Sequence, residues 1–388
     1  MPQKILVVDD EPDLQLLIKQ NFFKQIRKKE YEFEFAMNGK EALEVLERRD
    51  DMDVVLSDIN MPVMDGLTLL NNINERYPLL RAVVVSAYGD TKNVRQAMNN
   101  GAFDFVTKPI DFDDLGITIQ KTLREVAALK ESLEARDQLV AVRQELSIGQ
   151  QIQSSFLPTK LPEAAGWELA AYFHPAREVA GDFYDAIELP ETGSIGLVVA
   201  DVCDKGVGAA LFMSLIRSLI RAFAEEGERT GISTQKPVEI TNEYILRNHV
   251  DANMFATMFF ARVEPNSGRV QVINAGHNPP MVLDPNGNIK SYIKPSGPAV
   301  GMFPDVTYDV NTVELEIGDF LVSFTDGVTE AKDIDGNFYG EERLESVCNQ
   351  PADSAEAMLT RMIEDVREFI GEAKQFDDIT ACVLRRTE

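Results

Sequence analysis

The sequence predicts three parts: an α/β doubly wound domain on a parallel five-stranded sheet, a long coiled-coil helix, and an α+β domain of two packed antiparallel sheets flanked by helices. Three observations carry this reading. In the first third, short apolar runs that end in polar residues alternate with amphipathic helical patterns. A proline-free stretch with apolar residues at heptad spacing follows. After Trp167, strands bounded by turn residues dominate and the helical stretches stand apart from them. A chain of 388 residues suits two domains and a connector. The expected boundaries are 1–112, 113–157 and 158–388.

Composition removes several classes of function. The net charge is −26, so the chain should repel nucleic-acid backbones and anionic membranes, and neither DNA nor membrane is an expected partner. The sequence reads as lacking an apolar stretch long enough to span a bilayer, and MPQKILVVDDEPD reads as a strand rather than a signal peptide. Cys203, Cys348 and Cys382 are few and far apart, which points to a reducing, cytoplasmic setting. With three histidines and abundant carboxylates, Mg²⁺ or Mn²⁺ is favoured over zinc.

In the first domain, the run at 4–8 ends in Asp9, Asp10 and Glu11, and the run at 54–56 ends in Ser57 and Asp58. The run at 82–85 ends in Ser86, and that at 103–106 in Thr107, Lys108 and Pro109. In an open parallel sheet these ends converge on one crevice. Three carboxylates brought together repel one another unless a cation or proton intervenes. Mg²⁺ suits such oxygen ligands, and Ser86 and Lys108 suit an anion beside it. The site fits a carboxylate that accepts a phosphoryl group.

The motifs LVVDDE, VLSDINMPVMDG, VVVSA and FVTKP resemble the receiver domain of two-component response regulators, across about residues 4–122. The resemblance implies Asp58 as phosphoacceptor, with Mg²⁺ held by Asp10, by Asp9 largely through water, by Asp58 and by the Asn60 carbonyl. It implies that Ser86 and Lys108 grip the phosphoryl oxygens. Phe105 would be the aromatic switch; plain core packing is the alternative. Pro62 and Gly66 fit the tight loop after Asp58. A sensor histidine kinase or phosphotransfer protein would be the donor.

In the connector, Leu115, Ile119, Thr122, Val126, Leu129 and Leu133 keep heptad spacing, and a shifted frame through Leu139, Val142 and Leu146 then takes over. Polar on most faces, such a helix is expected to pair with a second copy as a homodimer through residues 115–146. The alternative is a lone helix folded back on the first domain.

In the last part, strands are expected at 167–173, 182–188, 195–202, 256–263, 269–275, 280–284, 289–293, 319–324 and 379–385, and helices at 208–226, 236–250 and 353–371. Asn286-Gly287 signals a hairpin. Aspartates again flank apolar runs, in GDFYD, VVADVCDKG, VSFTDG and FDDIT. That pattern suits a pair of hard metal ions that polarise a phosphoryl group and activate water. No His or Cys within these motifs stands ready to be phosphorylated, so direct hydrolysis is the economical route.

These segments, with IQSSFLP, PAREVAGDFYD and NAGHNPP, resemble the protein phosphatase 2C superfamily in its bacterial, sporulation stage II E-like branch that acts on anti-sigma-factor antagonists. The resemblance covers about residues 148–385. It implies two Mn²⁺ or Mg²⁺ ions, with Asp201 bridging both, Asp182 and the Val202 carbonyl on one, and Asp326 and Asp377 on the other. Asp378 would assist a further metal or be solvated. Ala180 and Asp204 stand where this branch usually has Gly. His277 reads as holding a loop rather than as a general acid, and Cys203 as a small packed residue.

The leading expectation is a response regulator whose aspartate phosphorylation controls a metal-dependent serine/threonine phosphatase. Its substrate would be a phosphorylated anti-sigma-factor antagonist. The alternative is a non-catalytic phosphoprotein-binding scaffold, which the complete aspartate set disfavours. A DNA-binding regulator is disfavoured by charge.

Overall fold

The computed structural model describes residues 2–87, 89–231, 233–265 and 267–388. It divides into two compact units, Met1–Val142 and Arg143–Glu388.

The first unit contains β1 (Gln3–Val8), α1 (Pro12–Asn21), α2 (Phe23–Arg27), β2 (Tyr31–Ala36), α3 (Gly39–Arg48), β3 (Val54–Asp58), α4 (Gly66–Arg76), β4 (Arg81–Ala87), α5 (Thr91–Asn99), β5 (Asp104–Lys108) and the start of α6 (Phe112–Phe156). The strands lie in the order β2-β1-β3-β4-β5, all parallel. One face of the sheet packs Leu6, Val8, Val55 and Val84 against α3 and α4. The other packs Ile5, Val7, Leu56 and Val83 against α1 and α6. Burial on both faces explains the unbroken apolar runs. Strand order reverses between β1 and β3, which opens a crevice at their carboxyl ends.

The connector departs from its expected role over its first turns. Leu115, Ile119 and Leu123 belong to the core of the first unit, and Thr122 and Val126 are also buried. The heptad spacing there serves the chain's own sheet. Further along α6, Leu139, Val140, Val142, Ile148 and Ile152 are exposed.

The second unit contains β6 (Trp167–His174), β7 (Phe183–Leu189), β8 (Ser194–Val202), α7 (Val207–Thr230), α8 (Lys236–Asn248), β9 (Ala256–Val263), β10 (Arg269–Ala275), β11 (Met281–Leu283), β12 (Ile289–Tyr292), β13 (Asn311–Glu314), β14 (Phe320–Phe324), α9 (Asp326–Thr329), α10 (Glu341–Cys348), α11 (Ala355–Ile370) and β15 (Ile379–Arg386). Two antiparallel sheets form, ordered β13-β10-β9-β8-β7 and β12-β11-β14-β15-β6. Alternation sorts each strand between two cores. In β8, Ile195, Leu197 and Val199 enter the layer between the sheets, with Leu321, Cys382 and Leu384 from the other sheet. Val198, Ala200 and Val202 face α7 and α8. On the far side, Val322, Phe324, Ala381 and Val383 pack on α10 and α11. The Asn286-Gly287 turn joins β11 to β12 as expected, with Asp284 Oδ1 accepting the N–H groups of Asn286 and Asn288.

One expectation is corrected. Helix α7 is long and apolar enough to cross a membrane by length and composition, with a mean hydropathy of 1.6. Its apolarity has a local use: Ala209, Phe212, Met213, Ile216 and Ile220 bury one face in the core beneath β7 and β8.

Candidate functional site

The crevice of the parallel sheet collects what the strand ends carry. Asp9, Asp10 and Asp58 each bring a carboxylate oxygen within 4.8 Å of the other two. Lys108 closes β5 and reaches them: its Nζ lies 2.6 Å from Asp58 Oδ2, 3.0 Å from Asp9 Oδ2 and 3.3 Å from Glu11 Oε1. Burial holds Asp9 above the ordinary carboxylate range, against the Glu11 N–H and the Lys108 charge. Burial alone would lower Lys108, but its bonds to Asp58 and Asp9 outweigh that and raise it. Lys108 is therefore a fixed cation. The Ser86 hydroxyl is fully buried and without a hydrogen-bond partner among the described residues. Such an unpaired group costs about 1–3 kcal/mol. The Asn60 N–H donates to Asp58 Oδ1 at 3.1 Å. At Gly66 any Cβ would collide with the Asp58 carbonyl, so only glycine lets α4 start there. Phe105 is 41 % exposed, so core packing is not its role. The three carboxylates make an oxygen donor set that fits Mg²⁺.

In the second unit, Asp182 precedes β7, Asp201 lies near the end of β8, Asp326 begins α9, and Asp377 and Asp378 precede β15. These elements come from both sheets, and their carboxylates act on one another. Asp182 is 3 % exposed; burial first, then the charges of Asp201 and Asp378, push it well above its ordinary range. Burial and Asp326 push Asp201 up to about 7. Burial and Asp377 push Asp326 up to about 6, with Lys205 pulling the other way. Thr380 Oγ1 donates to Asp182 Oδ2 at 2.8 Å. Asp182, Asp201 and Asp326, each raised by burial and by a neighbouring carboxylate, make a site that cations stabilise, and an all-oxygen set fits Mn²⁺ or Mg²⁺. Gly327 is required sterically, since a Cβ there would strike the Asp378 carbonyl.

Asp378 does not have the solvated environment considered for it. It is buried, and its two oxygens accept the N–H groups of Ala176 and Gly181 at 2.8 and 2.9 Å, holding the loop that leads to Asp182. Asp204 adopts φ 73°, a conformation that favours glycine and that Asp tolerates better than most. His277 is buried, with Nδ1 2.9 Å from Thr257 Oγ1 and its own N–H bonded to Asn274 Oδ1. Burial pushes its pKa down to about 4, so it is neutral at pH 7 and has no charge-driven proton to give. Cys203 Sγ accepts the Phe255 N–H at 3.2 Å.

Sequence reasoning missed Gln153. Near the end of α6, buried, it donates to the Ala180 carbonyl at 2.7 Å and accepts the Ala180 N–H at 2.9 Å. Its partner lies 27 residues away on a loop, and no local pattern marks that pairing.

A parallel sheet with this acidic crevice, followed by two stacked antiparallel sheets with aspartates at the strand ends, defines a receiver joined to a phosphatase-2C-type domain. The Response regulator receiver domain family matches residues 5–120, and the Stage II sporulation protein E (SpoIIE) family matches residues 191–387. The chain belongs to the SpoIIE family and carries an N-terminal receiver domain. It is 38% identical over 266 residues to Protein IcfG of Synechocystis sp., covering 63% of this chain and 42% of IcfG. It is 30% identical over 275 residues to Phosphoserine phosphatase RsbU of Bacillus subtilis, covering 71% of this chain and 80% of RsbU. The SiaA-PP2C domain of Pseudomonas aeruginosa shares its fold, with a TM-score of 0.55 at 21% identity over 64% of this chain and 98% of that one.

Proposed function

We propose that this protein is a response regulator in which phosphorylation of Asp58 controls hydrolysis of phosphoserine or phosphothreonine on a partner protein. The parts are a receiver whose core takes in the first turns of α6 through Val126, the remainder of α6 as connector, and a phosphatase domain (158–388). The observation that carries the reading is that Asp182, Asp201, Asp326 and Asp377 come from strand ends of both sheets, with Asp182 buried beside Asp201 and Asp326 feeling the charge of Asp377. The likeness to RsbU, whose name is phosphoserine phosphatase, supports the substrate class.

Asp201, Asp182 and the Val202 carbonyl would hold one ion, and Asp201, Asp326 and Asp377 the other. When bound, the ions supply an activated water and charge stabilisation at the phosphoryl group. Asp378 and Gln153 keep Asp182 in place by clamping the loop before it. Neutral His277 braces β9 through Thr257, opposite Asp201 in the β8–β9 register. In the receiver, Asp58 would form an acyl phosphate as the donor's phosphorus–nitrogen bond breaks and the donor imidazole leaves; Asp9 and Asp10 would hold Mg²⁺, and Lys108 and Ser86 would take the product's oxygens.

The donor is a sensor histidine kinase or phosphotransfer protein. The substrate is a phosphorylated anti-sigma-factor antagonist. The chain works as a homodimer through α6, now assigned to its exposed apolar residues from Leu139 onward rather than to residues 115–126. Release of phosphate from a phosphoserine peptide with Mn²⁺ tests the reading. No release by the folded wild type at any Mn²⁺ concentration would refute it.

A further inference from the structure

We propose that Lys205 and Lys332, gathered on the ring of Phe376, form the rim that docks the substrate's phosphoryl group; this rests on the phosphatase reading above. Three separate segments meet there: the loop between β8 and α7, the segment after α9, and the residue before Asp377. Lys205 Nζ donates to Asp377 Oδ2 at 2.5 Å and to the Phe376 carbonyl at 3.2 Å, and stands 4.6 Å from the Phe376 ring centroid. Lys332 Nζ lies 3.4 Å from the same centroid and 4.9 Å from that of Phe338. Among the described residues, Lys332 has no ion-pair partner.

An aromatic face attracts an ammonium but does not neutralise it. Two ammoniums on one ring repel each other. Asp377 answers Lys205, and among the described residues no carboxylate answers Lys332. Lys205 holds the carboxylate that the proposed metal site needs, so it must yield Asp377 to a cation. Both lysines then lack a counter-charge beside the reacting centre. A phosphoryl dianion supplies that charge, and each ammonium has three N–H donors to offer it. Phe376, Phe338 and Ile334 are 43, 57 and 76 % exposed, and offer apolar surface to residues flanking the phosphorylated side chain. In a chain of net charge −26, this rim gives an anionic substrate a local attraction.

The test uses the full chain with Lys205→Met, Lys332→Met, the double change, and Lys→Arg at both positions. Methionine keeps the stem and removes the charge. Inorganic phosphate is titrated calorimetrically into the Mn²⁺-loaded proteins. Each single change should weaken phosphate binding about tenfold and the double change more, with arginine restoring most of it. Mn²⁺ titrated alone should bind Lys205→Met at least as tightly as wild type, because no ammonium competes for Asp377. With a phosphoserine peptide, KM should rise while kcat stays within about threefold. Unchanged phosphate affinity in the double variant overturns the rim, as does a loss confined to kcat. If the wild type hydrolyses no phosphopeptide, the phosphatase reading falls, and the phosphate titration still decides the rim by itself.

Discussion

Asp326 and Asp378 stand beside the same acidic site, yet their surroundings give them different work. Asp326 feels the charges of Asp377 and Glu330, offset by Lys205 and the Gly327 N–H. Replacing it with asparagine removes a ligand charge. Turnover should fall by about 10²–10³-fold or more with the thermal transition nearly unchanged. A well-folded Asp326→Asn protein with wild-type turnover would remove it from the site. His277 makes a separate, pH-dependent prediction. Its folded pKa, about 4, lies below its ordinary 6.5. Between those values the unfolded chain binds a proton that the folded chain refuses. Stability is therefore lost as pH falls from about 6.5 towards about 4, by up to about 1.4 kcal/mol per pH unit from this residue. The raised aspartates act in the opposite sense, so the informative quantity is the difference between wild type and His277→Gln, measured by urea denaturation in chelator. That difference should change with pH across the window; a constant offset would mean the ring titrates normally.

At the scale of elements, α6 does two jobs along its length. Its first turns complete the receiver core, and its last turns place Gln153 on the Ala180 backbone. Gln153→Ala would leave the Ala180 N–H and carbonyl buried and unpaired, at a cost of about 1–3 kcal/mol for each. The loop before Asp182 should loosen and Mn²⁺ affinity should drop; unchanged affinity by titration would show that the clamp is not needed. The exposed residues between these ends make a further prediction. Leu139→Asp with Val142→Asp places like charges on a surface already in solvent, so the monomer fold should survive. Sedimentation should then show monomers or loosened dimers with a weakened response to Asp58 phosphorylation. Dimers as tight as wild type would remove this face from the assembly. The strands most legible in the sequence were the central ones. The bounds of β9 and β10 follow directly from apolar runs bordered by turn residues. The strands that escaped a search for apolar runs, β2 and β13, are sheet edges. Edge strands bury less, so β2 alternates, with Glu32 and Glu34 paired to Arg49, and β13 is mostly exposed.

Across the whole molecule, both acidic sites were legible because they lie at strand ends, where short-range sequence records both the buried run and the polar residue that follows it. The clamp by Gln153 and the rim around Phe376 were not, because they join segments far apart in sequence. The same distinction separates the two halves of the functional account. Each site follows from local chemistry, whereas the proposed coupling rests on α6, the helix the two units share. In the proposed function Asp58 is where that coupling would begin, and Lys108 stands 2.6 Å from its carboxylate. The most direct measurement is phosphate release from a phosphoserine peptide with Mn²⁺, by wild type and Asp58→Ala, each with and without acetyl phosphate and Mg²⁺. The account predicts that acetyl phosphate labels the wild type alone and raises its turnover or its Mn²⁺ affinity, while Asp58→Ala stays at the unstimulated level. Equal labelling of both proteins, or a labelled wild type whose turnover and Mn²⁺ affinity do not change, would contradict it.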